Sequence, residues 1–236
     1  MDIQPLETTD PRWKDLYRIG FFSCAAIPVL IVVFIAAYFV WPYTPGITSV
    51  AEIFATLQSD RFAGLITLDL AVPVTLPILV LQMLALYVAL KPVNESYALI
   101  ALVFGIIGVI LWLTVRPIAE MATLSERYVA ATSESARSQT LAAGETLSTL
   151  FNGTSWMLSQ IFIPISYFIS SLLMLRSKLF NKAEAYPGIL LKPTGMGILI
   201  PGVGAAIGIV STLGDVVWYI FLARAFFRLG WGNANG

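Results

Sequence analysis

Residues 95–116 read ESYALIALVFGIIGVILWLTVR: a glutamate, no charge over 96–115, then an arginine. An α-helix of about 20 apolar residues crosses roughly 30 Å of hydrocarbon. The pattern recurs along the chain. No Asp, Glu, Lys or Arg occurs between Arg18 and Glu52, Asp69 and Lys91, Glu145 and Arg176, or Lys192 and Asp215. Inside a bilayer the backbone must satisfy its own hydrogen bonds, which leaves helices for such apolar runs. The prediction is an all-α, polytopic transmembrane helical bundle.

Composition agrees. Of 236 residues, 58% are hydrophobic and only 12% charged, where a soluble domain carries about a quarter charged. The spans leave no room for a soluble domain, so the chain reads as a single transmembrane domain. Net charge is zero, which gives no sign of a nucleic-acid partner. There is no histidine and one cysteine, Cys24. Histidine-dependent catalysis is thereby excluded, and zinc, haem and iron–sulfur sites lose their usual ligands. No metal or cofactor is expected. Serines are plentiful, but a Ser-His-Asp triad is impossible without histidine. A Ser–Lys arrangement stays open, with only Lys178 and Lys182 near the serines in sequence.

Six spans are predicted, at about 19–41, 65–90, 97–115, 152–175, 194–210 and 213–229. The acidic and basic mixture in residues 1–18 reads as the flank of an uncleaved first span, not a signal peptide. Trp41-Pro-Tyr-Thr-Pro-Gly46 reads as a turn, and Ser49-Val-Ala-Glu52 as a capping box opening a short helix. Twenty residues counted back from Lys91 reach Ala71, which sets Asp69 near an interface. Residues 118–149 are polar and rich in Ala, Ser and Thr, and read as an extracytoplasmic helical loop. The end of the chain has a competing reading, one long tilted helix through 194–227.

Charge asymmetry favours six spans. With the N-terminus inside, the cytoplasmic side holds Arg12, Lys14, Arg18, Lys91, Arg176, Lys178, Lys182, Lys192, Arg224 and Arg228. The outside holds Arg61, Arg116, Arg127 and Arg137. Ten against four satisfies the positive-inside rule, with both termini cytoplasmic. Five spans would give eight against six. The expected location is the inner cell membrane.

Four stretches carry a family resemblance: Arg61-Phe62 with Leu68-Asp69-Leu70; Leu84-Ala-Leu-Tyr87 with Leu90-Lys-Pro-Val-Asn94; Ala98-Leu-Ile-Ala-Leu-Val-Phe104; and Leu175-Arg-Ser-Lys-Leu-Phe180. They resemble a bacterial six-helix membrane family, domain-of-unknown-function family 4386. Residues 118–149 and the Gly-rich fifth span follow the pattern less closely. The resemblance implies six helices and no established activity, and it carries over no site residue.

Ionisable residues inside spans are costly and are functional candidates by default. Asp69, Arg116, Gln160 and Asp215 are expected toward the outer side, where they would form an outward-facing polar pocket. Such a pocket would bind or transport a lipid or a small polar solute. The plainer alternative makes the aspartates headgroup-level residues, or pairs one with Arg116 to fix packing. Gly204-Ala-Ala-Ile-Gly208 is a G-x-x-x-G pattern that lets helices approach closely, within the bundle or toward a second copy or another membrane protein. Gly202-Val-Gly204 lacks the third glycine and the preceding strand of a dinucleotide loop. Asn94-Glu-Ser96 and Asn152-Gly-Thr154 match the glycosylation pattern by chance. The remaining alternative function is a non-catalytic accessory or scaffold subunit, whose partners would be membrane lipids and other membrane proteins.

Overall fold

A computed structural model describes residues 11–41 and 48–232. The turn expected over 41–46 lies, beyond Trp41, outside the described residues, as does the charged segment 1–10. Among the described residues every regular element is helical. A 3₁₀ turn leads into α1 (Lys14–Val40); α2 (Val50–Ser59), α3 (Arg61–Thr67), α4 (Ala71–Leu90) and α5 (Glu95–Leu113) follow. Next come α6 (Ile118–Ala130), α7 (Glu134–Ser148), α8 (Thr154–Met174), α9 (Lys182–Gly195) and α10 (Gly204–Trp231). Five segments are long and apolar enough to cross a membrane: Lys14–Val40, Ala71–Leu90, Glu95–Ala130, Glu134–Met174 and Gly204–Trp231. This is a membrane protein.

The chain divides into two units. One comprises residues 32–76 and 110–159. Its centre is α2, whose Val50, Ile53, Phe54 and Leu57 recur at helical spacing and are buried with Leu68, Met121 and Phe151. The capping box forms as Ser49 and Glu52 exchange bonds of 3.3 Å. Asp60 then starts α3 by accepting from the Ala63 N–H at 3.0 Å. The loop 118–149 becomes an amphipathic pair, α6 and α7. Ser125 ties α6 to α2, donating to the Phe54 carbonyl (3.2 Å) and accepting from Gln58 (2.9 Å).

The other unit comprises residues 1–31, 77–109 and 160–236. Small residues let its helices approach. A side chain at Gly105 would overlap Met83 and Ser166, and one at Gly108 would overlap Ile163. Here helix association rests on close packing, since lipid is as apolar as the side chains.

The end of the chain corrects the expected spans. Residues 194–210 and 213–229 are not two helices separated near Thr212; 204–231 is one helix, and the break comes earlier, over 200–203. Pro201-Gly202 makes that break. Gly202 has φ +84, a conformation that only glycine adopts without cost. Ser211-Thr-Leu-Gly214 has no proline, and a helix tolerates an isolated glycine. The stretch before the turn forms α9 and a 3₁₀ turn, Met196–Leu199. Together with α10 they make an antiparallel hairpin. Contacts run Glu184 to Arg228, Gly188 to Trp218, Lys192 to Asp215, Gly195 to Ser211 and Gly197 to Ile207.

Candidate functional site

The hairpin buries a charge pair. Lys192 Nζ donates to Asp215 Oδ1 at 2.7 Å, with the lysine side chain 5% and the aspartate side chain 27% exposed. Lys192 is therefore not exposed, as an interfacial lysine in the charge count would be expected to be; it is packed within the hairpin. Three aromatic rings face its ammonium. Their centroids lie 4.3 Å (Trp218), 4.8 Å (Tyr167) and 4.9 Å (Tyr219) from Nζ. The negative faces of aromatic rings attract a cation within about 6 Å, more strongly when water is excluded. Rings and carboxylate together form a cage for one positive charge.

Local sequence builds this cage. Asp215, Trp218 and Tyr219 stand at i, i+3 and i+4 on α10, so they share one face. Gly188, one turn before Lys192 on α9, brings the backbone close. A Cβ at Gly188 would collide with Ser171 Oγ and Trp218 Nε1. Tyr167 on α8 supplies the third ring, stacked edge-on against Trp218 at 4.9 Å. Its hydroxyl donates to Gln82 Oε1 on α4 at 3.0 Å.

The surroundings hold unused hydrogen-bonding capacity. Among the described residues four buried side-chain atoms have no partner, and three of them flank the cage: Gln82 Nε2, Ser171 Oγ and Trp218 Nε1. Each belongs to a fully buried residue. Leaving such an atom unsatisfied costs about 1–3 kcal/mol, so three around one charge pair mark a polar interior that packing alone does not explain.

The four predicted site residues separate into the two units. Asp69 and Arg116 meet in one, with Arg116 Nε donating to Asp69 Oδ2 at 2.7 Å. Arg116 Nη1 also donates to the carbonyls of Val115 (3.2 Å) and Phe151 (3.1 Å), and its guanidinium lies 5.0 Å from the Phe151 ring centroid. Asp69 has φ +65, so the turn between α3 and α4 holds it in the left-handed region. Gln160 and Asp215 belong to the other unit. Asp215 pairs with Lys192, and Gln160 is half-buried on α8. A Cβ on Gly204 or Gly208 would meet Ile198 of the 3₁₀ turn, so both glycines serve the hairpin's own close approach.

Sequence reasoning missed Lys192, Tyr167, Trp218 and Tyr219. One signal was available: Lys192 and Asp215 bound the last charge gap, and Pro201-Gly202 divides that gap so that the two ends fold back together.

A family model described as Domain of unknown function (DUF4386) matches residues 27–232. No curated protein and no solved structure matches the chain.

Proposed function

The chain belongs to the DUF4386 family of domains of unknown function, and for it we propose a role in binding and moving a small organic cation across the membrane. The caged Lys192–Asp215 pair carries this reading. Ionisable residues within the membrane pair with one another and mark substrate or ion pathways. Stability alone is a weak reason for the pair, because well-packed apolar residues of similar volume do as well or better than a buried ion pair. A ring of three aromatics and one carboxylate suits an ammonium ion. Lys192 acts as the resident occupant, a tethered ammonium that holds the site when solute is absent. The cage takes one positive charge, so a solute ammonium enters as the Lys192 ammonium leaves or gives up its proton. Gln82, Ser171 and Trp218 then offer hydrogen bonds to the polar groups of the guest.

Asp215 is the one residue of the predicted pocket kept in this site. Asp69 and Arg116 are taken as a clasp, because Arg116 is spent on a carboxylate and two backbone carbonyls.

The proposed setting is the inner cell membrane of a bacterium, with six crossings and both termini cytoplasmic. The antiparallel hairpin supports a sixth crossing. The 14 residues of α9 and the 4 of its 3₁₀ turn rise roughly 21 and 8 Å, about 29 Å together. Of their three charges, Lys182 lies exposed at the first position of α9, and the other two are paired, Glu184 with Arg228 and Lys192 with Asp215. Arg18 near the start of α1 donates to the Gly230 carbonyl at the end of α10 (3.2 Å), which supports placing both ends of the chain on one face. With Lys192 inside the hairpin, ten minus one leaves nine cytoplasmic cations against four.

The test empties the cage. Lys192→Ala is expected to lower the melting temperature of the detergent-purified protein, and ethylammonium is expected to restore it. Propionate is expected to have no effect, and Asp215→Asn is expected to abolish the rescue. A guest at 100 times its Kd adds about 2.7 kcal/mol. Equal responses to ethylammonium and propionate in Lys192→Ala would sink the proposal.

A further inference from the structure

We propose that the groove between α1 and α10 binds one anionic phospholipid, with the phosphate on Arg224 and an acyl chain along the apolar floor. The site is separate from the cage and does not depend on it. The groove encloses about 570 Å³ and is lined by Phe21, Ala25 and Pro28 of α1 and by Ile220, Arg224 and Phe227 of α10, among others. Ala25 and Ala223 leave it unfilled by side chains.

Its polarity is ordered along its length. Helices α1 and α10 run antiparallel here: Arg18 meets Gly230, Phe21 packs on Phe227 with ring centroids 5.6 Å apart, and Gly20 approaches Phe226. One end of the groove therefore lies toward Arg18 and the C-terminal turns of α10. Arg224 stands seven residues before Trp231 at the helix end, roughly 10 Å along the axis at 1.5 Å per residue. Pro28 and Ile220 lie further from that end, where no charged side chain lines the groove. A cation near the interface followed by an apolar channel is the order of a phospholipid's own headgroup and chain.

Charge complementarity selects an anionic lipid. The two arginines that flank this end of the groove, Arg228 and Arg18, are engaged. Arg228 donates to both carboxylate oxygens of Glu184 (2.6 and 3.1 Å). Arg18 is bound to Asp15 (2.9 Å) and to the Gly230 carbonyl, and lies 5.4 Å from the Trp231 ring centroid. Arg224 is exposed and makes no ion pair or hydrogen bond among the described residues. An interfacial arginine favours an anionic headgroup, and basic pockets between membrane helices hold such headgroups.

The protein is to be extracted in mild detergent from vesicles of equal phosphatidylglycerol and phosphatidylethanolamine, and its bound lipids read by native mass spectrometry. The wild type is expected to retain one phosphatidylglycerol per chain with a preference of about five-fold, the size expected of one interfacial cation. Arg224→Gln is expected to abolish the preference and Arg224→Lys to keep it. Ala25→Trp, which fills the floor, is expected to lose the retained lipid. Arg127→Ala, on α6, is expected to behave as wild type. Equal retention of the two lipids by the wild type overturns the proposal, as does an unchanged preference in Arg224→Gln.

Discussion

The pairs Asp69–Arg116 and Lys192–Asp215 share one N···O distance, 2.7 Å, and differ in what surrounds it. Arg116 is held by a carboxylate, two carbonyls and a ring face. Its guanidinium stays charged under all ordinary conditions, and its planar fork fits fixed acceptors. Lys192 has one carboxylate and three ring faces, beside polar atoms that lack partners. Its ammonium is a compact charge that can give up a proton. The first arrangement fixes a turn between helices. The second keeps a charge in place with little else to prevent exchange. Equal ion-pair geometry therefore does not imply equal function; the ligands of the cation decide.

The largest effect should come from breaking the clasp. Asp69→Asn leaves a buried arginine without its counter-ion and should cost about 3–5 kcal/mol in denaturant unfolding from detergent micelles. A loss well below that range would mean that the two carbonyls suffice and that the contrast is overstated. Next comes Asp215→Asn, for which we expect about 1–3 kcal/mol, because Lys192 has the escape that Arg116 lacks. Raising the pH favours the deprotonated lysine, so the cost of Asp215→Asn should shrink as pH rises while that of Asp69→Asn stays flat. Parallel pH dependences in the two variants would erase the distinction.

Gly188→Ala sharpens the comparison by pressing on the cage without touching its charges. The added methyl runs into Ser171 and Trp218, and overpacking of this kind costs about 1–3 kcal/mol. It should also weaken ethylammonium rescue when combined with Lys192→Ala, while the same rescue in an Arg61→Ala background stays intact. The smallest effect belongs to the exposed pair Arg61–Glu126, 3.0 Å apart. Its removal should cost about 0.2–1 kcal/mol, and the loss should fade in high salt. Equal losses from Arg61→Ala and Asp69→Asn would show that burial does not set the scale here.

Much of the fold was legible from charge gaps. Position Ala71, counted back from Lys91, is where α4 starts, and Ser49 with Glu52 signalled α2 before any packing was known. The hairpin was harder to read. Averaged hydropathy across 194–229 is high throughout, so the apolar signal does not locate a break. The local signal, Pro201-Gly202, carries the geometry instead. Lys192 gave no local sign of its pairing, because a lysine beside an apolar run reads as an exposed flanking residue. Only its partner 23 residues away in sequence shows that it is buried as half of an ion pair.

The sequence by itself determined that this is an all-helical membrane protein with no histidine to act through, because uncharged apolar runs of about 20 residues satisfy their backbone in lipid as helices. Tertiary structure alone decided which charges face each other. Asp69 could have paired with Arg116 or stayed at the headgroups, and Asp215 could have joined them. Such choices depend on distances between helices far apart in the chain. Coulomb energy and desolvation change steeply over a few ångströms, and residue order does not set those distances.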